Sequence, residues 1–436
     1  MHGAEPRSVP STEMKTRFGL VVLVVIDEIS ITHQTLLGGT DSVSRSMSRT
    51  PQKFMGGRHV LFIGDLLQLP PVGGHPCFEA PHDTANRLRH AGYAIYSAIN
   101  FVVFLVKNMR ARLDPVYAEI LDNLRWGRIS DSQLEKLNCR VNEHVEVPPT
   151  WNSSAFYRPV VVCTNRMRCA INHFMIFKIA GVYGATVFEC MAQPSARSKV
   201  IVENIANATN DVTDRVPMKL LFYIGMPVMI TRKHPSLVDA DIIANGVIGN
   251  IVGMFPSPGS IDSTSYTVNG VIIHRLGQLP ELLLIKVHGN ESTLITGFPE
   301  GVIGLPRLHV SLQLKRFPNL AQTSVTVDQF TVVPAFACTT EKLQGQTCHD
   351  GVVVTPLDRR KGIPKQTFYV ALSRATRLAG LTLTDIVTRQ YLDNFRPNEA
   401  TVTKMNRLIE IVRLPLYAPL SELVRFNSFW KARQHT

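Results

Sequence analysis

The sequence predicts an α/β protein built on parallel sheets, and three stretches carry that prediction. Leu20–Ile26 is a run of seven apolar residues closed by Asp27 and Glu28. Val60–Ile63 and Pro159–Cys163 are shorter runs of the same kind. Gly64 stops the first of these, and the second leads into helical spacing at Arg166–Ile179. Unbroken apolar runs of this length read as strands buried on both faces, as in a parallel sheet covered by helices. The composition agrees. The chain has 436 residues, 45% hydrophobic and 18% charged, enough for a folded core and two or three domains.

Taken in order, residues 1–18 are polar and contain Pro and Ser, and read as a disordered, frayed lead-in. Thr32–Ser48 reads as a helix and loop. Val60–Ile63 runs into Asp65, Gln68 and a Pro70–Pro71 turn, followed by a loop rich in Gly, His and Pro. Phe101–Val106 reads as a third strand, with Lys107, Asn108 and Arg110 directly after it. Asp114 caps a helix through about Trp126, with Val116, Ile120, Leu121 and Leu124 at helical spacing. A second helix spans Ser130 to about Arg140, and Pro148–Pro149 closes a first domain at residues 19–149. The second α/β domain takes residues 150–252 and 326–396, with strands at Gly225–Arg232, Asn245–Val252, Phe330–Phe336 and Gly351–Val354. Between its halves, residues 253–325 alternate short β-branched runs with Pro, Gly and Ser, the texture of a small inserted β-barrel. The tail, 397–436, carries Lys404, Arg407, Arg413, Arg425, Lys431 and Arg433 and reads as a solvated or docked helix.

The formal net charge of +12 suits a polyanionic partner such as DNA or RNA, although a merely basic surface has the same balance. Seven cysteines, with no Cys-x-x-Cys pair, argue against a disulfide framework or structural zinc and for a reducing, intracellular compartment. No apolar run is long enough to span a membrane as a helix, and the first residues lack the shape of a signal peptide.

Three stretches could do chemistry. Two carboxylates at the end of a buried strand need a partner. Magnesium with a nucleotide at the carboxyl edge of the sheet is one explanation, with Asp27 on the metal and Glu28 orienting water. An ordinary strand end with two solvated acids is the other. TTEKLQGQT, Thr339–Thr347, packs polar donors around Gly345 and fits either a phosphate or nucleic-acid contact or a plain strand-to-helix turn. FYVALSRATR, Phe368–Arg377, sets Arg374 on an apolar element, fit for γ-phosphate charge or for a surface salt bridge.

Together these stretches resemble the motifs of superfamily 1B DNA helicases of the PIF (petite integration frequency) type, including the helicase part of Helitron transposons. VVIDEIS resembles motif II, GGRHVLFIGDLLQLPPV motif III, and NMRARLDPVYAEILDNLRWG motif IV and its following helix. VVCTNRMRCAIN resembles the segment that opens the second RecA-like domain, and NGVIGNIV the approach to the SH3-like insertion. DQFTVVPAFACTTEKLQGQT resembles motif V and FYVALSRATRLAGLTL motif VI. The likeness covers about residues 20–385 in the family's order. It implies tandem RecA-like domains of the P-loop NTPase type, the first incomplete, with the SH3-like barrel inserted in the second. It also implies ATP and Mg2+ as cofactors, and 5′-to-3′ movement of a monomer on single-stranded and forked DNA, in the nucleus or mitochondrion. By the same likeness, Asp27 and Glu28 are the magnesium and water-orienting acids, and Gln68 senses the γ-phosphate. Arg110 and Arg374 reach the phosphates, one from each side of the cleft. Gly345 and Gln346 link nucleotide state to DNA, and Thr164, Asn165, Thr339 and Lys342 lie on or near the single-strand track.

The sequence departs from the family pattern in two ways. Motif V has Leu343 where the family has Ser, and Glu341 where it has His or another polar residue. The second departure is larger: these residues contain no G-x-x-x-x-G-K-[ST] and no Gly-Lys pair. That loop cradles the β and γ phosphates. The resemblance therefore points to the C-terminal part of a helicase, either a motor whose P-loop half lies on a further segment or a non-catalytic nucleic-acid-binding remnant. A nucleotide-independent interaction protein is a third reading.

Overall fold

The computed structural model describes residues 11–82, 84–142, 157–195, 216–232, 244–313, 324–355 and 364–413, with Glu203 and Thr213. The Pro148–Pro149 linker and the tail beyond residue 413 lie outside these residues.

The described part of the expected lead-in is a helix, α1 (Thr12–Gly19), because Ser11 caps it and Arg17 pairs with Glu13 one turn back at 2.8 Å. Next come β1 (Leu23–Ile26), α2 (Gln34–Ser46) and β2 (His59–Phe62), the two strands parallel and in register from Leu23–His59 to Ile26–Phe62. α3 (Arg87–Ser97) lies where the sequence reads as loop; Asn86 caps it by accepting from the Arg89 amide at 3.0 Å. α2 and α3 touch backbone to backbone. A Cβ on Gly38 would sit 2.0 Å from the Leu88 carbonyl oxygen, and one on Gly92 2.1 Å from that of Gln34. Behind them, Ile29, Leu37, Leu66, Leu67, Ile95 and Tyr96 form the core of this first module.

The first sheet corrects two expectations. Among the described residues β1 pairs with β2 alone, so its outer face stays open, with Val25 51% and Leu61 46% exposed. Phe101–Val106 is no strand. Val102 and Phe104 pack on the first core, while Leu105 is 92% exposed. The alternation is that of a strand, but no described neighbour completes the ladder.

α4 (Pro115–Arg125), capped by Asp114 as the sequence predicts, and α5 (Asp131–Asn138) pack mainly on the second module. Their Tyr117, Ile120, Leu121 and Leu137 share a core with Val161, Val352, Phe368 and Leu381. The Tyr117 hydroxyl donates to the Leu372 carbonyl at 2.7 Å. Packing thus puts the seam between the modules near residue 107 rather than 149. β3 (Val160–Val162) and α6 (Asn165–Tyr183) follow.

The described residues then form twelve strands: β4 (Val187–Met191), β5 (Gln193–Pro194), β6 (Lys219–Phe222), β7 (Pro227–Ile230), β8 (Ile248–Phe255), β9 (Ser263–Val268), β10 (Val271–Leu276), β11 (Leu282–Val287), β12 (Val302–Pro306), β13 (Leu308–Gln313), β14 (Ser324–Gln329) and β15 (Val332–Pro334). They form sheets ordered β6-β4-β10-β9, β12-β11-β8-β7-β15 and β13-β14-β5. All pairings are antiparallel except β4 with β10. This insertion is larger than the expected 253–325. β7 and β8, given to the α/β domain by their apolar runs, find their partners in β11 and β15.

The second module resumes with β16 (Ala337–Thr339), α7 (Thr340–Leu343), β17 (Val352–Val354), α8 (Thr367–Leu372), β18 (Leu381–Leu383) and α9 (Arg389–Asp393). Its sheet runs β16-β3-β17-β18, wholly parallel. Every residue of β3, β17 and β18 is buried. α10 (Glu399–Arg413) crosses back: Met405 and Leu408 enter the first core, and Arg407 donates to the Ser97 carbonyl at 2.8 Å. The tail is a docked helix over this span. Among the described residues no helix is long and apolar enough to cross a membrane.

Candidate active site between the two parallel sheets

The carboxyl ends of β1 and β2 bring the first set of polar groups together. Asp27 follows β1 directly and is exposed; its Oδ1 accepts from the Glu28 amide at 2.8 Å. Glu28 adopts a left-handed backbone, φ 51° and ψ 49°. Such a conformation costs a non-glycine residue about 1 kcal/mol or more and persists only where the surroundings fix it. Here the Asp27 carboxylate fixes one side, and the Ile29 amide, bonded to the Ile63 carbonyl at 2.9 Å, fixes the other. Beyond β2, Asp65 accepts from the Leu67 amide at 3.0 Å and from Arg125 Nη1 at 3.3 Å, so it ties the first module to α4. Gln68 is half-buried in the same turn, its amide bonded to the Asp65 carbonyl at 3.0 Å.

The second module supplies the opposite wall. α7 ends at fully buried Leu343, and the chain turns through Gly345 at φ +81°. The Leu343 departure from the family pattern therefore anchors this turn in the core, and Glu341 beside it is exposed. Gln344 Nε2 donates to Glu28 Oε2 at 2.9 Å across 316 residues of sequence. Arg110 donates from Nε to Thr347 Oγ1 at 3.0 Å and from Nη1 to the Ser373 carbonyl at 3.2 Å. Arg374 is 1% exposed. It donates to the carbonyls of Val370, Leu343 and Gln346 and to Ser373 Oγ.

The expectation that Arg110 and Arg374 face each other across the cleft is corrected. Arg110 lies beside Ala111 and the α4 core, so both guanidiniums belong to the second module. Burial first, and the Arg110 charge second, push Arg374 down to about 10. Burial likewise lowers Arg110, while Glu28 favours the charged form of both. Among the described residues no carboxylate forms an ion pair with either arginine. The result is a pair of neighbouring cations, one fully buried, held by carbonyl and hydroxyl oxygens and, through space, by Glu28, with no ion pair of their own among the described residues.

The remaining predicted residues gather at the carboxyl edge of the second sheet. β16 and β3 are neighbours with Thr339 opposite Val162, so Thr339 and Thr164 lie at adjacent strand ends. Thr164 caps α6, accepting from the Met167 amide at 3.2 Å, and Asn165 is exposed on its first turn. Lys342 Nζ donates to Asn245 Oδ1 and Gln346 Nε2 to the Gly246 carbonyl, both at 3.1 Å. Gln346 thus faces the inserted strands, and Gln344 is the residue that reaches the acids. Sequence reasoning alone does not single out Gln344, Thr347, Asp65, Arg125 or Asn245 for these contacts. Gln344 and Thr347 lie in TTEKLQGQT, so a signal for them is present; the Asp65–Arg125 pair has none.

A family profile described as PIF1-like helicase matches residues 8–133, the span holding β1, β2 and Arg110. The ATP-dependent DNA helicase PIF1 of Emericella nidulans is 23% identical over 396 residues, 82% of this chain and 46% of that protein. In sequence this chain is similar to PIF1-like helicases, by the family profile over residues 8–133 and by that relative over most of this chain's length. It spans less than half the length of the curated relatives it matches. Its fold is that of Pif1 helicase crystal structures. The Candida albicans Pif1 helicase superimposes with a TM-score of 0.59 at 18% identity, over 91% of this chain and 79% of that one. Bacteroides Pif1 in complex with ADP-AlF3 and ssDNA does so with a TM-score of 0.56 at 18% identity, over 93% and 79%.

Proposed function

We propose that this chain carries most of the motor of an ATP-dependent DNA helicase. The observation that carries the reading is Arg374, a fully buried guanidinium beside a second one, within reach of the Glu28 charge and with no carboxylate ion pair among the described residues. A buried cation without a counter-charge is costly. A phosphoryl group between the modules would supply it, and an arginine so placed is worth roughly 10³–10⁵ in the rate of phosphoryl transfer. Similarity to ATP-dependent helicases, one of whose structures carries ADP-AlF3 and ssDNA, supports the same substrate.

In this reading the first wall holds the nucleotide's metal and water and the second holds its charge. Mg2+ binds through one or two carboxylates plus water and phosphate oxygens. Asp27 fits that demand, exposed at its strand end, and no described cluster of three His, Cys, Asp or Glu offers a full protein cage. Bound there, the ion would neutralise phosphate charge. Glu28 orients the attacking water, Gln68 reads the γ-phosphate from motif III, and Arg110 and Arg374 stabilise the transferring group. Gly345 lets the backbone pass close to the acids. Thr164, Asn165, Thr339 and Lys342 would line a single-strand track, aided by counterion release to the +12 chain. The two modules are then the RecA-like pair and the insertion holds the SH3-like barrel. The activity would be 5′-to-3′ translocation and unwinding of forked DNA.

The test is ATP turnover by the purified chain with and without single-stranded DNA, beside Glu28→Gln and Arg374→Ala. DNA-stimulated turnover lost in both variants is the expected result. The sequence lacks G-x-x-x-x-G-K-[ST], and that favours one alternative, the remnant. Salt-dependent strand binding without turnover would establish it in place of the motor.

A further inference from the structure

The Gln344–Glu28 bond joins two modules at the most chemically loaded point of the cleft. We propose that Gln344 is a positioning residue: its carboxamide, carried by the second module, holds the Glu28 carboxylate, so that this acid is aimed only while the modules are apposed. The inference rests on the reading of Glu28 as the water-orienting acid.

Three features support it. First, the Glu28 backbone is strained at φ 51° and its own module holds it by two amide hydrogen bonds, Glu28 to Asp27 Oδ1 and Ile29 to Ile63, so the Gln344 bond to its side chain is a third tie on the same turn. Second, the donor is itself fixed. The Gln344 amide bonds to the Thr340 carbonyl at 3.2 Å, and Leu343 before it is fully buried. Third, the bond occupies one carboxylate oxygen and leaves the other facing the glycine. A Cβ on Gly345 would lie 3.9 Å from Glu28 Oε1, and φ +81° excludes most side chains there. One oxygen is thus held by an uncharged donor and the other has backbone clearance. A lysine in place of Gln344 would pair with the acid and compete with its work; a carboxamide orients without neutralising. The arrangement follows the general rule that a reacting side chain is locked in place by hydrogen bonds from groups that do not react.

The test uses the full chain labelled at the glutamate side-chain carboxyl carbon. The carbon resonance lost in Glu28→Gln identifies Glu28. In Gln344→Ala that resonance should move while the other glutamates hold their positions, and amide exchange over residues 28–31 should rise about tenfold. Gln344→Glu sets two carboxylates against each other and should raise exchange further. The reciprocal pair Glu28→Gln with Gln344→Glu restores one donor and one acceptor and should return exchange to the original rate. An unmoved Glu28 signal, or a reciprocal pair that exchanges as fast as Gln344→Glu alone, overturns the proposal. Both readouts are independent of ATP turnover, so failure of the helicase reading appears in the ATPase assay alone.

Discussion

The two parallel sheets are written in nearly the same residues and fold into different situations. β1 and β2 are Leu-Val-Val-Ile and His-Val-Leu-Phe; β3 and β17 are both Val-Val-Val. In the second module four strands and the helices α4, α6 and α8 bury every residue of β3 and β17. In the first, two strands leave alternate residues half open, and Leu20, Val22, Phe101, Val103, Leu105 and Val106 add to the exposed apolar surface around them. Apolarity determines what a strand can tolerate; neighbours determine what it receives. The site straddles this inequality, with its acids on the weaker sheet and its arginines on the stronger.

The comparison can be broken by mutation. The largest effect is expected from Phe368→Ala, in the core of the second module. Phe368 is 1% exposed and its ring lies 5.3 Å from that of Tyr391 and 5.7 Å from that of Phe395. The loss should be about 3–5 kcal/mol in urea unfolding, concentrated in the second module when followed by amide exchange. Gly92→Ala acts on the first module instead. The new Cβ meets the Gln34 carbonyl oxygen at 2.1 Å, and prying α2 from α3 should cost about 1–3 kcal/mol. Exchange should quicken in α2 and α3 and stay unchanged in α4. Equal loosening of both modules would show that they unfold as one unit. The smallest effects come from one substitution made in both sheets. Val353→Thr buries a hydroxyl at a position 1% exposed and should cost about 1–3 kcal/mol; Val25→Thr, 51% exposed, should stay within about 0.5 kcal/mol. A Val25→Thr cost as large as that of Val353→Thr would mean that the face of β1 is covered in solution.

What is legible in the sequence is local chemistry. Asp114 and Ser130 announce their helices because a cap is a short-range event, and Gly64 stops its strand for the same reason. Asp27 and Glu28 are readable because they follow β1 directly, and the turn at Gly345 because a glycine among polar residues marks it. α3 escapes such a reading because its fit depends on Gly92, a poor helix former that makes sense only once α2 lies against it. The side of the cleft to which Arg110 belongs is equally hidden. It is decided by Tyr117 reaching Leu372, a contact 255 residues apart in sequence. The extent of the insertion is hidden for a related reason, since β7 and β8 look like any buried strands until β11 and β15 pair with them.

The return of α10 to the first module orders events on the ribosome. Arg407 meets Ser97 across 310 residues, and Met405 and Leu408 fill a core begun by Ile29 and Leu37. At ~5–20 residues per second, roughly 15 to 60 s of synthesis separate the two halves of that core. The second module and its strands emerge in between and can close on their own contacts. Of the two modules, the one translated earlier is therefore the last to be finished, because its core waits for Met405 and Leu408.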